Sequence, residues 1–180
     1  MIRKMAAAAM IAGSLAFTGG NAAAQTAESI VNALTPKKPE AVRSFSGGQA
    51  RGISITGDLP REEELPRIDL TINFEFDSDK LTNDGWIAMQ ALGEALKDPR
   101  LAGMEFRIAG HTDGRGEAGY NQDLSMRRAL TVTRHLTQYY SIAPERLYPA
   151  GYGESQLMRP DDPAHPNNRR VEIINLSPMY

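Results

Sequence analysis

From Ile68 to Phe76 the chain alternates: Ile68, Leu70, Ile72, Phe74 and Phe76 are apolar, while Asp69, Thr71, Asn73 and Glu75 between them are polar. Period-two patterning predicts a strand with one buried face. The stretch "SDKLTNDG" breaks it and offers Thr82, Asn83 or Asp84 as a helix cap. Trp86, Met89, Leu92 and Leu96 then recur at helical spacing, which predicts a helix with Trp86 in the core. Pro99 and Gly103 end that unit. Met104, Phe106 and Ile108 alternate again and predict a second strand ending at Gly110. A second helix is expected from near Asn121 to Tyr140, a third strand over 147–151, then a long proline-rich loop and a last strand over 170–176. The order strand, helix, strand, helix, strand, loop, strand predicts an α+β fold. Its economical packing is two layers, with both helices on one face of a small mixed sheet. A domain of this size buries such a core without metal or disulfide.

The second helix can be read by angle, at about 100° per residue. With Val132 at the centre of the buried face, Leu136, Ala129, Ser125 and Tyr139 fall near it, as do Asn121 and Arg128. Arg127 and Arg134 point to solvent. An inward guanidinium needs a partner, because burying it unpaired is costly. The nearest acid by topology is Asp113, in the loop "GHTDGRGEAGYN" between the second strand and this helix. Two readings stand side by side. Asp113 and Arg128 form a structural salt bridge that closes the loop, or they form a trap for a zwitterion. In the trap Arg128 takes a ligand carboxylate through its planar fork and Asp113 takes the adjacent ammonium, as in an amino-acid head group.

The N-terminal pattern differs. Arg3 and Lys4 precede an apolar run from Met5 to Phe17 and small residues at 22–24. This is the layout of a secretory signal peptide over residues 1–24, with cleavage expected after Ala24. The run falls short of the roughly 20 apolar residues that span a bilayer. Residues 25–66 mix Pro, Gly, Ser and charge without a sustained period, and read as a tether or lead-in with a short strand suggested at 52–56. The compact domain is expected over 67–180.

Composition narrows the chemistry. A formal net charge of -2 argues against nonspecific nucleic-acid binding. With no cysteine, disulfides, thiolate chemistry, Cys-based zinc sites and a lipid-modified cysteine are excluded. Gly114, Gly116 and Gly119 spell G-x-G-x-x-G, but "HTD" separates them from the strand, and the acid expected about 20 residues on would fall in helix. These glycines instead let the loop turn tightly. His111 near Asp113 raises catalysis. His135 and His165 are remote, no H-E-x-x-H or G-x-S-x-G motif occurs, and His111 is read as a loop residue bonded to backbone. No enzyme activity, cofactor or metal is expected.

The segments "NFEFDSDKL", "GHTDGRGEAGYNQDLSMRRALTV", "GYGES" and "NNRRVEI" occur in this order. Together they resemble the OmpA-like domain, the peptidoglycan-binding module also found in Pal lipoproteins and flagellar stator proteins. The resemblance runs over 68–176. It implies a β-α-β-α-β-β fold and a grip on the diaminopimelate of the peptidoglycan stem peptide, whose side chain ends in a zwitterion. By that resemblance the acid is Asp113 and the arginine Arg128, with Asn121 in support. Asp77 lies in the facing loop, Thr112 and Leu124 line the pocket, and Arg169, rather than Arg170, sits at its rim. The expected partner is peptidoglycan, in the periplasm beside the outer membrane, with an envelope protein as a further partner for the N-terminal segment. The alternative is an envelope interaction module that keeps the scaffold without strong wall binding.

Overall fold

The computed structural model describes residues 25–36 and 65–177. The predicted signal peptide and the strand suggested at 52–56 lie outside the described residues.

Three helices pack on a four-stranded mixed sheet. The elements are α1 (Ala27–Leu34), β1 (Arg67–Leu70), α2 (Asn83–Leu96), β2 (Phe106–His111), α3 (Ala118–Tyr140), β3 (Leu147–Gly153) and β4 (Val171–Asn175). The strand order is β1-β4-β2-β3. β4 runs antiparallel to both neighbours, with Ile68 opposite Ile173 and Ile173 opposite Ile108, while β2 and β3 are parallel. The parallel pair needs a crossover, which α3 supplies.

The core gathers Met89, Leu92 and Leu96 of α2, Ala129, Val132 and Leu136 of α3, and Phe106, Ile108, Val171 and Ile173 of the sheet. Thr82 caps α2, its hydroxyl accepting from the Gly85 amide at 3.2 Å. At Gly110 a Cβ would lie 2.2 Å from the Ser125 carbonyl oxygen. Only glycine there lets α3 lie this close to the sheet.

Four expectations are corrected. Residues 27–34 are not tether: Thr26 caps a two-turn helix, and Ile30, Val31 and Leu34 are buried in the core. Asn175 fastens its end by donating to the Leu34 carbonyl at 2.9 Å. The first strand stops at Leu70, where a tight turn, with the Ile72 amide donating to the Leu70 carbonyl at 3.0 Å, bends the chain. Phe74 then makes only an isolated bridge to Leu81, and Phe76 is 99% exposed. Trp86 is 43% exposed, outside the core. Gly85, Met89 and Leu92 hold the inward stripe, and Trp86, one step on from Gly85, is turned about 100° aside. It stacks on His135 at 4.5 Å between ring centroids. Tyr139, placed near the buried face by angle, is also exposed, and the remaining boundaries shift by a few residues.

Candidate functional site

The bridge of Phe74 to Leu81 closes a short loop, with the Glu75 amide donating to the Lys80 carbonyl at 2.8 Å. At its tip Asp77 takes a left-handed conformation, φ 51°. That aims the loop at the start of α3 and at the segment leaving β2. Between them lies a cleft of about 680 Å³ lined by Asp77, Thr112, Asp113, Asn121, Leu124, Arg128 and Arg169. All seven predicted site residues therefore meet in one place.

Asp113 is buried, yet it sits among cations. Its carboxylate accepts from Arg115 at 2.7 Å and from Arg169 at 2.7 Å, and the Arg115 amide adds a third bond at 3.3 Å. Burial by itself would raise this carboxyl. The bonds from Arg115 and Arg169 outweigh it and hold Asp113 below the usual carboxylate range. Gly116, at φ 97°, permits the turn that brings Arg115 back over Asp113.

Arg128 is 8% exposed. Of the two readings, the direct Asp113–Arg128 salt bridge is absent: Asp113 pairs with Arg115 and Arg169, and among the described residues no carboxylate lies within ion-pair distance of Arg128. Its Nε donates to the Ser78 carbonyl at 3.0 Å, and its guanidinium stands over the Phe74 ring at 5.0 Å. Burial, then the charge of Arg169, lower its affinity for its proton. An arginine stays charged under such pressure. Among the described residues the site thus holds a buried cation that feels Asp113 and Asp77 only at a distance and, across the cleft, a carboxylate gripped by two part-exposed arginines.

The supporting residues divide by role. Asn121 donates to the carbonyl of Arg115 at 3.0 Å and to the Glu154 carboxylate at 2.6 Å, so it fastens the loop rather than offering itself to the cleft. Thr112 is held by its amide, which donates to the Gly153 carbonyl at 2.9 Å. Its hydroxyl is buried without a partner among the described residues. Asp77 accepts a short bond from the Tyr120 hydroxyl. Of the arginine pair, Arg169 lines the cleft, while Arg170 turns to Asp69 at 2.7 Å. His111 is not a loop residue bonded to backbone. It ends β2, its ring stacks on Tyr152 at 5.4 Å, and Nε2 lies 3.4 Å from the Glu172 carboxylate. Phe74, Arg115 and Tyr120 were not foreseen. Arg115, two residues past Asp113, carried the only local signal; Tyr120 and Asp77 meet across 43 residues.

The OmpA family profile matches residues 73–170, and the chain belongs to the OmpA family. Membership makes it a structural module rather than an enzyme. It is 35% identical over 130 residues to the peptidoglycan-associated lipoprotein of Pseudomonas aeruginosa, covering 71% of this chain and 74% of the lipoprotein. It is 33% identical over 115 residues to outer membrane porin F of the same species, which is 63% of this chain but 32% of the porin. The chain therefore spans about a third of that relative. Two solved structures share the fold. The periplasmic domain of Helicobacter pylori MotB superposes with a TM-score of 0.52 at 24% identity, over 66% of this chain and 86% of that one. The OmpA-like domain of FopA1 from Francisella tularensis superposes with a TM-score of 0.51 at 22% identity, over 63% and 75%.

Proposed function

We propose that this chain holds the cell wall noncovalently, taking the diaminopimelate side chain of the peptidoglycan stem peptide into the cleft. In this way it links an envelope component to the wall from the periplasmic side of the outer membrane. The observation that carries the reading is Arg128, with no carboxylate at ion-pair distance among the described residues, facing the same cleft as Asp113. The ligand carboxylate lies on the Arg128 fork, and the ligand ammonium displaces an arginine from Asp113. Each ligand charge meets its complement, so none is stranded in the cleft. The relatives named above, an outer membrane porin and a peptidoglycan-associated lipoprotein, favour the same compartment and partner.

The test compares two stem tripeptides by calorimetric titration: one ending in meso-diaminopimelate, the other in lysine, whose side chain keeps the ammonium and lacks the carboxylate. The diaminopimelate peptide should bind and the lysine peptide should bind at least tenfold more weakly. Equal affinities, or no binding of either, would contradict the proposal.

A further inference from the structure

Beside the cleft lies a second, smaller cavity of about 210 Å³, called the inner cavity below. Phe74, Arg128 and Arg169 line both spaces, so the two are contiguous through these side chains. Their charge differs sharply. The outer cleft is balanced, with Glu75, Asp77 and Asp113 against Arg115, Arg128 and Arg169. The inner cavity is lined by Arg128, Arg169 and Arg170 and by no acid. His111, 1% exposed, also lines it; its Nε2 faces the Glu172 carboxylate at 3.4 Å, and its Nδ1 has no hydrogen-bond partner among the described residues. The Asn167 side chain adds a further polar group at the cavity wall.

A balanced cleft suits a ligand of zero net charge, and a zwitterion is one. Two of the arginines of the inner cavity are paired outside it, Arg169 with Asp113 and Arg170 with Asp69, so its wall suits an anion once one of them is released. Arg169 couples the two. When a ligand ammonium takes over Asp113, the 2.7 Å bond from Arg169 becomes free to turn to the inner cavity. Arg170 is fixed at its edge by Asp69 and by the Gln156 carbonyl at 3.3 Å.

We infer that the inner cavity is a second subsite, which receives a further carboxylate of the same stem peptide through Arg169 and Arg170 while the zwitterion occupies the outer cleft. The inference rests on the proposed function and adds a specificity to it: the peptide is read at two points. Stem peptides offer two sources for that group, the α-carboxylate of the preceding glutamate and the terminal carboxylate of the diaminopimelate backbone.

The test is calorimetric titration of the chain with the unmodified tripeptide, with each of the two carboxylates amidated in turn, and with both amidated. The same ligands are titrated into Arg170→Gln and into Thr71→Phe. Thr71 is exposed and lines the inner cavity, so a ring there takes up its space without removing any charge. One single amidation should weaken wild-type binding at least tenfold and so identify the source. The same amidation should change binding less than threefold in both variants, and the doubly amidated peptide should bind all three chains alike. Equal affinity of the unmodified and doubly amidated peptides for the wild type would overturn the second subsite alone. Retained tenfold discrimination in both variants would do the same. Failure of the unmodified peptide to bind the wild type would instead overturn the proposed function beneath it.

Discussion

Replacing Arg128 with methionine should separate folding from binding. The side chain is buried and its charge has no carboxylate partner among the described residues. The substitution removes one charge-assisted bond to the Ser78 carbonyl, worth roughly 1.5–3 kcal/mol, and a contact over Phe74 worth about 1 kcal/mol. Against this, it removes the penalty of holding an ion out of water with no direct ion-pair partner among the described residues, of order several kcal/mol. The terms nearly cancel, and methionine refills much of the volume. Stability in urea should therefore change by no more than about 1 kcal/mol. Binding of the diaminopimelate peptide should fall by roughly 2–5 kcal/mol, a loss of about thirtyfold to several thousandfold. Urea unfolding followed by circular dichroism and titration calorimetry read the two quantities on one sample. A loss of more than about 3 kcal/mol of stability would make Arg128 a structural residue and refute the reasoning, and so would undiminished binding.

Asp113→Asn keeps the shape of the other anchor and removes its charge, and should weaken the peptide at least tenfold by calorimetry. The Asp113 carboxyl is held low in the fold, so its contribution to stability is complete above the ordinary carboxylate value of about 3.9 and is lost as pH falls through its lower folded value. Wild-type affinity should accordingly stay level from pH 8 to about 4 and fall below that, while the Asn variant shows no such fall. Arg127→Ala should leave binding within about twofold in the same titration. Its ion pair is an exposed one to Asp123 at 3.2 Å, of a kind worth roughly 0.3–0.5 kcal/mol. Leu34→Ala should destabilise the domain by roughly 2–5 kcal/mol in urea, because α1 is part of the core; an unchanged midpoint would return residues 27–34 to the status of a lead-in.

Much of this architecture is legible from periodicity. The strands built on Phe106 and Ile108, the α2 stripe of Met89, Leu92 and Leu96, and the α3 stripe carrying Arg128 all lie where their spacing predicts. Each of these repeats its pattern over several turns or residues. One element escaped for lack of that repetition, and one was drawn too long because its pattern ran on. Helix α1 has two turns, and three inward residues at Ile30, Val31 and Leu34 make no sustained period; Thr26 as a cap was the available signal. The alternation through Phe76 continues past the point where the backbone bends at Leu70, because alternation records polarity and not pairing. The candidate site shows the same division. The loop and helix phase bring Asp113 and Arg128 to one cleft, as the resemblance to OmpA-like domains implies. Arg115, two residues from Asp113, could be read locally, but the bond from Arg169 spans 56 residues and has no trace in local spacing. That Asp113 is taken, and Arg128 left without an ion-pair partner among the described residues, was therefore not legible.

The central claim is tested most directly by sedimentation with purified peptidoglycan sacculi. The chain from residue 25 to 180 would be compared with its Asp113→Ala and Arg128→Ala variants, with free meso-diaminopimelate as competitor. The native chain alone should sediment with the wall, and the competitor should release it. If the native chain stayed in the supernatant, or if both variants sedimented as it does, the wall-binding account of this cleft would be contradicted.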